Sequence, residues 1–378
     1  MSRRDDFIRT LHHETPDNLL LDLGGCPLSS MEGRSMYTLL DFLGYAPEQP
    51  FEALPFGITR RLDERLLRCL DIDTRSVGRI LIPRKSQKKI ISEREYIDEW
   101  GIRRVYTGMY WEQVGWPLKD ATIDDLDRFE WPDPESIDPS EIALHAREAK
   151  RLFEETDYVI CAEHPVYGIF ELGCWMCGFD DFLVRVAIDT EFVHKFFSII
   201  LDYQKKVIAQ YYGALGPWIQ YTSSGDDFAT QSGLFLSPEM FRSLITPYFA
   251  ERIRVTKSFT KAAFLHHSCG SVFPIVGELA DAGVEILNPI QPKAWQMDPR
   301  GLKDAWGNRI VFHGGIDTQE ILPFGSAEQI EETVASTIRI MNENGGYIFA
   351  AAHNIQEDVP PEHLVHMFSA ARRHGRKQ

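Results

Sequence analysis

Leu265-His266-His267-Ser268-Cys269-Gly270-Ser271-Val272 ends an apolar run with a His-x-Cys pair and a glycine. An apolar run that stops at polar, soft-metal ligand types reads as a buried strand opening into a loop. In a parallel barrel the strand tips display the chemistry, and alternation along a strand puts residues i and i+2 on one face. His267 and Cys269 are thereby placed to grip one ion, with His266 turned the other way. The pair supplies only two of the three or four ligands zinc takes, and a buried cysteine is more commonly a small hydrophobe. A third ligand has to come from elsewhere in the chain.

Working outward, short β-branched or apolar runs recur with helical patterns between them, the signature of βα units and a parallel sheet. Eight are found, at residues 18–23, 77–82, 158–162, 218–222, 263–267, 284–288, 309–313 and 347–351. Eight such runs favour a closed (β/α)8 TIM barrel, of class α/β, over an open sheet. At 378 residues the chain also has the length for one large barrel with an excursion, and it is read as one domain over residues 1–378. The periodicity over 181–214 predicts a long helix, Ser237-Pro238-Glu239 opens another, and Ser326-Ala327-Glu328-Gln329 has the capping-box form. Between the second and third runs lies an insertion over about 84–142. Its aromatic residues Tyr110 and Trp111 either line a substrate mouth or pack the insertion onto the barrel.

Composition narrows the function classes. Forty Lys and Arg against 56 Asp and Glu give a formal charge of −16, which repels nucleic-acid phosphates and anionic membrane surfaces. The N-terminal Met1-Ser2-Arg3-Arg4-Asp5-Asp6 leads into a polar helix pattern, and no stretch of about 18 apolar residues follows, so a cytoplasmic protein is expected. Six cysteines in this length lack disulfide-scaffold density and are read as reduced thiols. Cys174-Trp175-Met176-Cys177, a lone Cys-x-x-Cys in a helical stretch, is read as structural. No Walker A motif is present.

The residues just after each run form a coherent set: Asp22, Glu163-His164, Gly225-Asp226-Asp227, His267 with Cys269, Asn288, Gly314-Gly315-Ile316-Asp317 and His353-Asn354. A catalytic metal requires such a rim, with three protein ligands and one open position. His353 is the candidate third ligand, its plain alternative being a histidine that fixes a loop. Asp227 and Glu163 are candidates for catalysis, as is Asp22 unless it merely caps a loop. Asn288 and Asp317, with Tyr110 and Trp111, are candidates for holding substrate. Gly314-Gly315 either brings backbone N–H groups to an anion or makes a plain turn.

Gly225-Asp226-Asp227-Phe228-Ala229-Thr230-Gln231, then Leu236-Ser237-Pro238-Glu239-Met240-Phe241 with Pro247-Tyr248, resembles the uroporphyrinogen decarboxylase superfamily, and within it the corrinoid-dependent methyltransferase branch. His267-Ser268-Cys269-Gly270, Gly314-Gly315-Ile316-Asp317, and His353-Asn354-Ile355 followed by Pro360-Pro361-Glu362 follow in the same order. The resemblance implies a TIM barrel with its site at the C-terminal rim and a zinc ion held by His267, Cys269 and a third residue. It further implies a methyl group moving between a small molecule and a corrinoid (cobalamin) carried by a partner protein. Here the third position is His353, where the branch has cysteine. An imidazole in place of a thiolate leaves the centre about one unit more positive, which suits an oxygen-bearing substrate better than a thiol. The resemblance also implies an alternative, a metal-free decarboxylase or lyase in which Asp22 and His353 manage protons. The arginines that branch uses to clasp a tetrapyrrole are absent from Asp22-Leu23-Gly24-Gly25-Cys26. The oligomeric state is left open, a homodimer being one candidate.

Overall fold

The computed structural model describes residues 2–46, 61–86, 88–108 and 111–377. Eight parallel strands form the central sheet: β1 (Leu20–Leu21), β2 (Thr74–Val77), β3 (Val159–Ala162), β4 (Tyr221–Thr222), β5 (Ala263–His267), β6 (Ile286–Ile290), β7 (Val311–Ile316) and β8 (Tyr347–Ala351). Pairing runs β1-β8-β7-β6-β5-β4-β3-β2, each neighbour parallel. This is the order of a (β/α)8 TIM barrel opened at one seam, between β1 and β2.

Asp73 is a principal stitch across that seam. The Asp73 backbone N–H donates to the Leu21 carbonyl at 3.0 Å, and the Leu21 N–H donates to Asp73 Oδ2 at 2.7 Å. The buried Asp73 carboxylate is held in turn by Arg3 Nε at 2.8 Å and Arg372 Nη2 at 2.7 Å. A side chain thus does here what a strand ladder does elsewhere. Arg3 lies in the helix Arg3–Leu11 and Arg372 in the helix Pro361–His374, so both ends of the chain converge on the seam.

Strand alternation sorts the barrel into layers. Leu20, Val159, Cys161, Tyr221, Ala263, Leu265, Ile286, Val311 and Ile348 pack together as a compact inner core. The residues between them, such as Ile160, Phe264, Leu287, Phe312 and Phe349, join the larger cluster formed with the surrounding helices. Two residues further along, in six of the strands, the inward positions become polar: Asp22, Glu163, Ser223, His267, Asn288 and His313. All six are buried. His266 faces outward, stacked on Phe228 with ring centroids 5.4 Å apart.

Several expectations are corrected. The second strand is Thr74–Val77, and the expected run 77–82 meets it only at Val77. Gly78 takes a left-handed φ of +83° and turns the chain out of the sheet. The strand was masked by polar residues: Arg75 is buried because its guanidinium lies 3.7 Å from the Tyr158 ring centroid and pairs with Glu64. The single helix expected over 181–214 is two, Phe179–Ile188 and Thr190–Leu215, because the Asp189 side chain accepts from the Phe192 N–H and starts the second. Gly314 and Gly315 make no turn and lie inside β7. The capping box at Ser326 is present as read.

Between β2 and β3 the chain builds a four-stranded antiparallel sheet from Lys89–Ser92, Glu95–Ile97, Arg103–Tyr106 and Trp111–Gly115, followed by the helix Ile123–Arg128. The helix Pro139–Glu155 then returns to β3, so residues 139–142 belong to it. Cys174 and Cys177 are buried, unpaired thiols on the helix Ile169–Cys177. Among the described residues no helix is long and apolar enough to cross a membrane.

Removing the Asp73 carboxylate leaves the Leu21 N–H without its acceptor and takes one carboxylate from each of two arginines, which keep Asp71 and, for Arg3, Asp157. Asp73→Ala is expected to cost about 3 kcal/mol of stability. A denaturant-unfolding midpoint equal to that of the parent protein would contradict this role for Asp73 at the seam.

Candidate metal centre

His267 stands at the last position of β5 and points into the barrel mouth, and Cys269 follows two residues later on the loop. His267 Nε2 and Cys269 Sγ are 3.3 Å apart. His353 arrives just beyond β8, its ring centroid 5.9 Å from that of His267. One ligand atom from each of the three lies within 4.8 Å of the others, so the three residues singled out in the sequence converge.

The surroundings hold these groups in ligand-ready form. His267 Nδ1 is 2.6 Å from Asn288 Oδ1, which leaves Nε2 directed at the thiol. Asp227 Oδ1 accepts the Cys269 backbone N–H at 2.7 Å and lies 3.7 Å from His267 Nε2. Gln291 Nε2 donates to Cys269 Sγ at 3.7 Å, while its carbonyl oxygen accepts from the Gly270 N–H at 2.8 Å and Gln231 Nε2 at 2.7 Å. Burial, reinforced by His267, pushes the His353 pKa down to about 4, so its imidazole is neutral at ordinary pH, as a ligand must be. Burial, with Asp227 and Glu171 alongside, pushes the Cys269 thiol up. A cation would supply what that thiol lacks, and two imidazoles with one sulfur beside a cavity are a donor set that fits zinc.

The cavity has a volume of about 450 Å³, and His267, His353 and Asp227 line it. Its walls include Leu28, Ile80, Tyr167 and Trp175, the last two meeting edge to face at 5.3 Å. Glu32, Glu163 and Glu171 also line it, and among the described residues the lining contains no lysine or arginine. Burial, with repulsion from Asp227 and Asp226, raises the Glu171 pKa well above the usual carboxylate range. Burial raises Asp226 to about 7, although its oxygens cap the helix Ile169–Cys177 through the Phe170 N–H at 3.0 Å and the Glu171 N–H at 2.8 Å. Gly168 makes that cap possible, since a Cβ there would meet Asp226 Cγ at 2.4 Å.

Of the other expected site residues, Asp227 and Glu163 face the cavity. Asp22, Asn288, Asp317 and Trp111 are not among its lining residues. Asp22 lies deeper, bonded to His313, and Asn288 is the partner of His267. The Asp317 carboxylate caps a turn through the N–H groups of Gln319, Glu320 and Ile321. Trp111 packs on Tyr96 and Tyr106 at centroid distances of 4.8 and 5.4 Å, while Gln113, two residues on, reaches the cavity. Tyr110 lies outside the described residues. Sequence reasoning missed Glu171, Gln291 and His313. Alternation from the apolar Val311 would have placed His313 inward, just as it placed His267.

Residues 113–374 match the family described as uroporphyrinogen decarboxylase (URO-D). A uroporphyrinogen decarboxylase from Sodalis glossinidius is 29% identical over 79 residues, covering 21% of this chain and 22% of that protein. One from Klebsiella pneumoniae is 32% identical over 82 residues, covering 20% and 23%. These matches therefore span less than a quarter of the curated relatives. Among solved structures, a methyltransferase from Methanosarcina mazei superimposes with a TM-score of 0.65 over 98% of both chains at 16% identity, a likeness of fold.

His164, beside the centre, offers a pH test. Burial, then Arg252 and His267, pushes its pKa from 6.5 down to about 3. The folded protein keeps it neutral while the unfolded chain takes up a proton below about pH 6.5, so its contribution is full above that pH and is lost as the pH falls toward 3. The stability advantage of the parent over His164→Gln is expected to shrink between about pH 7 and pH 5. Parallel pH profiles for the two proteins would refute this.

Proposed function

The chain belongs to the uroporphyrinogen decarboxylase family, and on that footing we propose that it is a zinc-dependent methyltransferase. It moves a methyl group between a small-molecule substrate and a corrinoid carried by a separate protein. The observation that carries this reading is the convergence of His267, Cys269 and His353, with both histidines lining the cavity. The likeness of fold to the Methanosarcina mazei methyltransferase supports it.

When bound, zinc supplies Lewis acidity at an open position, worth several kcal/mol of charge stabilisation on a substrate heteroatom. The chain's own residues do the rest. Asn288 orients His267, and Asp227 fixes the Cys269 loop through the backbone N–H. Glu171, its carboxyl raised well above the usual carboxylate range, can hand a proton to the heteroatom left behind by the methyl group, with Glu163 facing the same space. Tyr167 and Trp175 form an apolar wall that excludes water.

The alternative, a metal-free carboxy-lyase, needs cations to hold a polycarboxylate. Glu32, Glu163, Glu171 and Asp227 instead present carboxyl groups, and no described lining residue is basic, so a polyanionic substrate is disfavoured.

Elemental analysis should find about one zinc per chain in the parent protein. Cys269→Ala, His267→Ala and His353→Ala should each lose the metal, and with it methyl transfer to or from an added corrinoid protein. Full activity in metal-free Cys269→Ala would sink the mechanism.

A further inference from the structure

Beneath the cavity, buried polar side chains form one continuous chain across the inside of the barrel. Asp22 Oδ2 is 2.7 Å from His313 Nε2, His313 Nδ1 is 2.6 Å from Asn288 Nδ2, and Asn288 Oδ1 is 2.6 Å from His267 Nδ1. The chain links the end of β1 with β7, β6 and β5, and all four residues are at most 6% exposed. Asp22 never reaches the cavity.

The chemistry of the end group fixes the direction of every bond. An ionised carboxylate only accepts, so His313 donates from Nε2, and its Nδ1, facing the Asn288 amide nitrogen, accepts. Asn288 then donates its amide to His313 and accepts with its carbonyl from His267 Nδ1–H. Nε2 of His267 is left bare, facing Cys269. Burial pushes the Asp22 carboxyl up, but the facing His313, with hydrogen bonds from Ser29 and Thr74, outweighs it and holds the carboxyl below its usual range. The Gly25 N–H also donates to Asp22 Oδ1 at 2.8 Å, and a Cβ at Gly25 would meet that oxygen at 2.3 Å.

We propose that Asp22 is a positioning residue: through His313 and Asn288 it sets the ring tautomer of His267 and thereby makes Nε2 available as a metal ligand. This inference rests on the zinc reading for its purpose, though not for its geometry. It gives Asp22 a role remote from substrate.

The isosteric Asp22→Asn variant tests direction without changing shape. Its carbonyl must stay on the Gly25 N–H, because that group can only donate, so its amide faces His313 Nε2. Each bond then reverses in turn, and His267 receives a donor at Nδ1 and carries its proton on Nε2. Adding Asn288→Asp restores an acceptor beside His267 whichever way His313 points.

Side-chain 15N shifts of histidine-labelled, metal-free protein report the His267 tautomer, and cobalt(II) titration reports affinity through the thiolate charge-transfer band. We expect a proton on Nδ1 in the parent, a proton on Nε2 with about 10- to 100-fold weaker cobalt binding in Asp22→Asn, and recovery of both in Asp22→Asn/Asn288→Asp. An unchanged tautomer in Asp22→Asn, or equal damage in the single and double variants, overturns the relay. A parent protein that binds no cobalt overturns the zinc reading instead, and the nitrogen shifts alone then decide the relay.

Discussion

Burying an ionised carboxylate inside a barrel costs several kcal/mol unless donors surround it, and much of the upper barrel is arranged around that requirement at Asp22. Thr74 from β2, the Gly25 backbone after β1 and His313 from β7 each contribute a donor. The carboxylate thereby draws together strands on both sides of the seam that the backbone leaves without a ladder. The polar layer above the apolar core follows from the same geometry. Once alternation turns Asp22, Asn288, His313 and His267 inward, water cannot satisfy them and they must satisfy one another.

A second tension sits at the cavity. Asp226 and Asp227 raise the proton affinity of Glu171, and Asp227 that of Asp226, on top of the larger effect of burial. A stability-optimised protein would dilute such a cluster. Keeping it beside two neutral histidines and a buried thiol makes the corner hungry for positive charge, a pattern typical of functional sites.

The parts of the fold legible in the sequence were those where one signal dominated. Apolar runs ending in polar residues marked β5 and β8 to the residue. His267, Cys269 and His353 were legible because the rule that chemistry sits after barrel strands needs only strand ends. β2 was displaced because its outward Arg75 is offset by Tyr158 and Glu64, partners that sequence periodicity does not reveal. Asp22, Asn288 and Asp317 were correctly seen as special and differently employed. A carboxylate at a strand end caps a turn, bonds a histidine or meets a ligand according to what stands opposite, and that is a property of pairs. Glu171 was hidden because its helix position looks like any surface glutamate until Asp226 ties the helix start against the cavity.

The seam carries a consequence for synthesis on the ribosome. β1 emerges first, yet its parallel partner β8 lies more than three hundred residues later, and on the other side Asp73 awaits Arg372 as well as Arg3. Strands β2 to β7 can accumulate in order as they appear, but the first strand must wait with its β8-facing edge open until β8 emerges. Closure of the barrel, and with it the meeting of Asp22 and His313, is therefore a late event. A nascent chain stalled before β8 holds His267 and Cys269 without His353, so the three side chains can meet only after β8 has emerged.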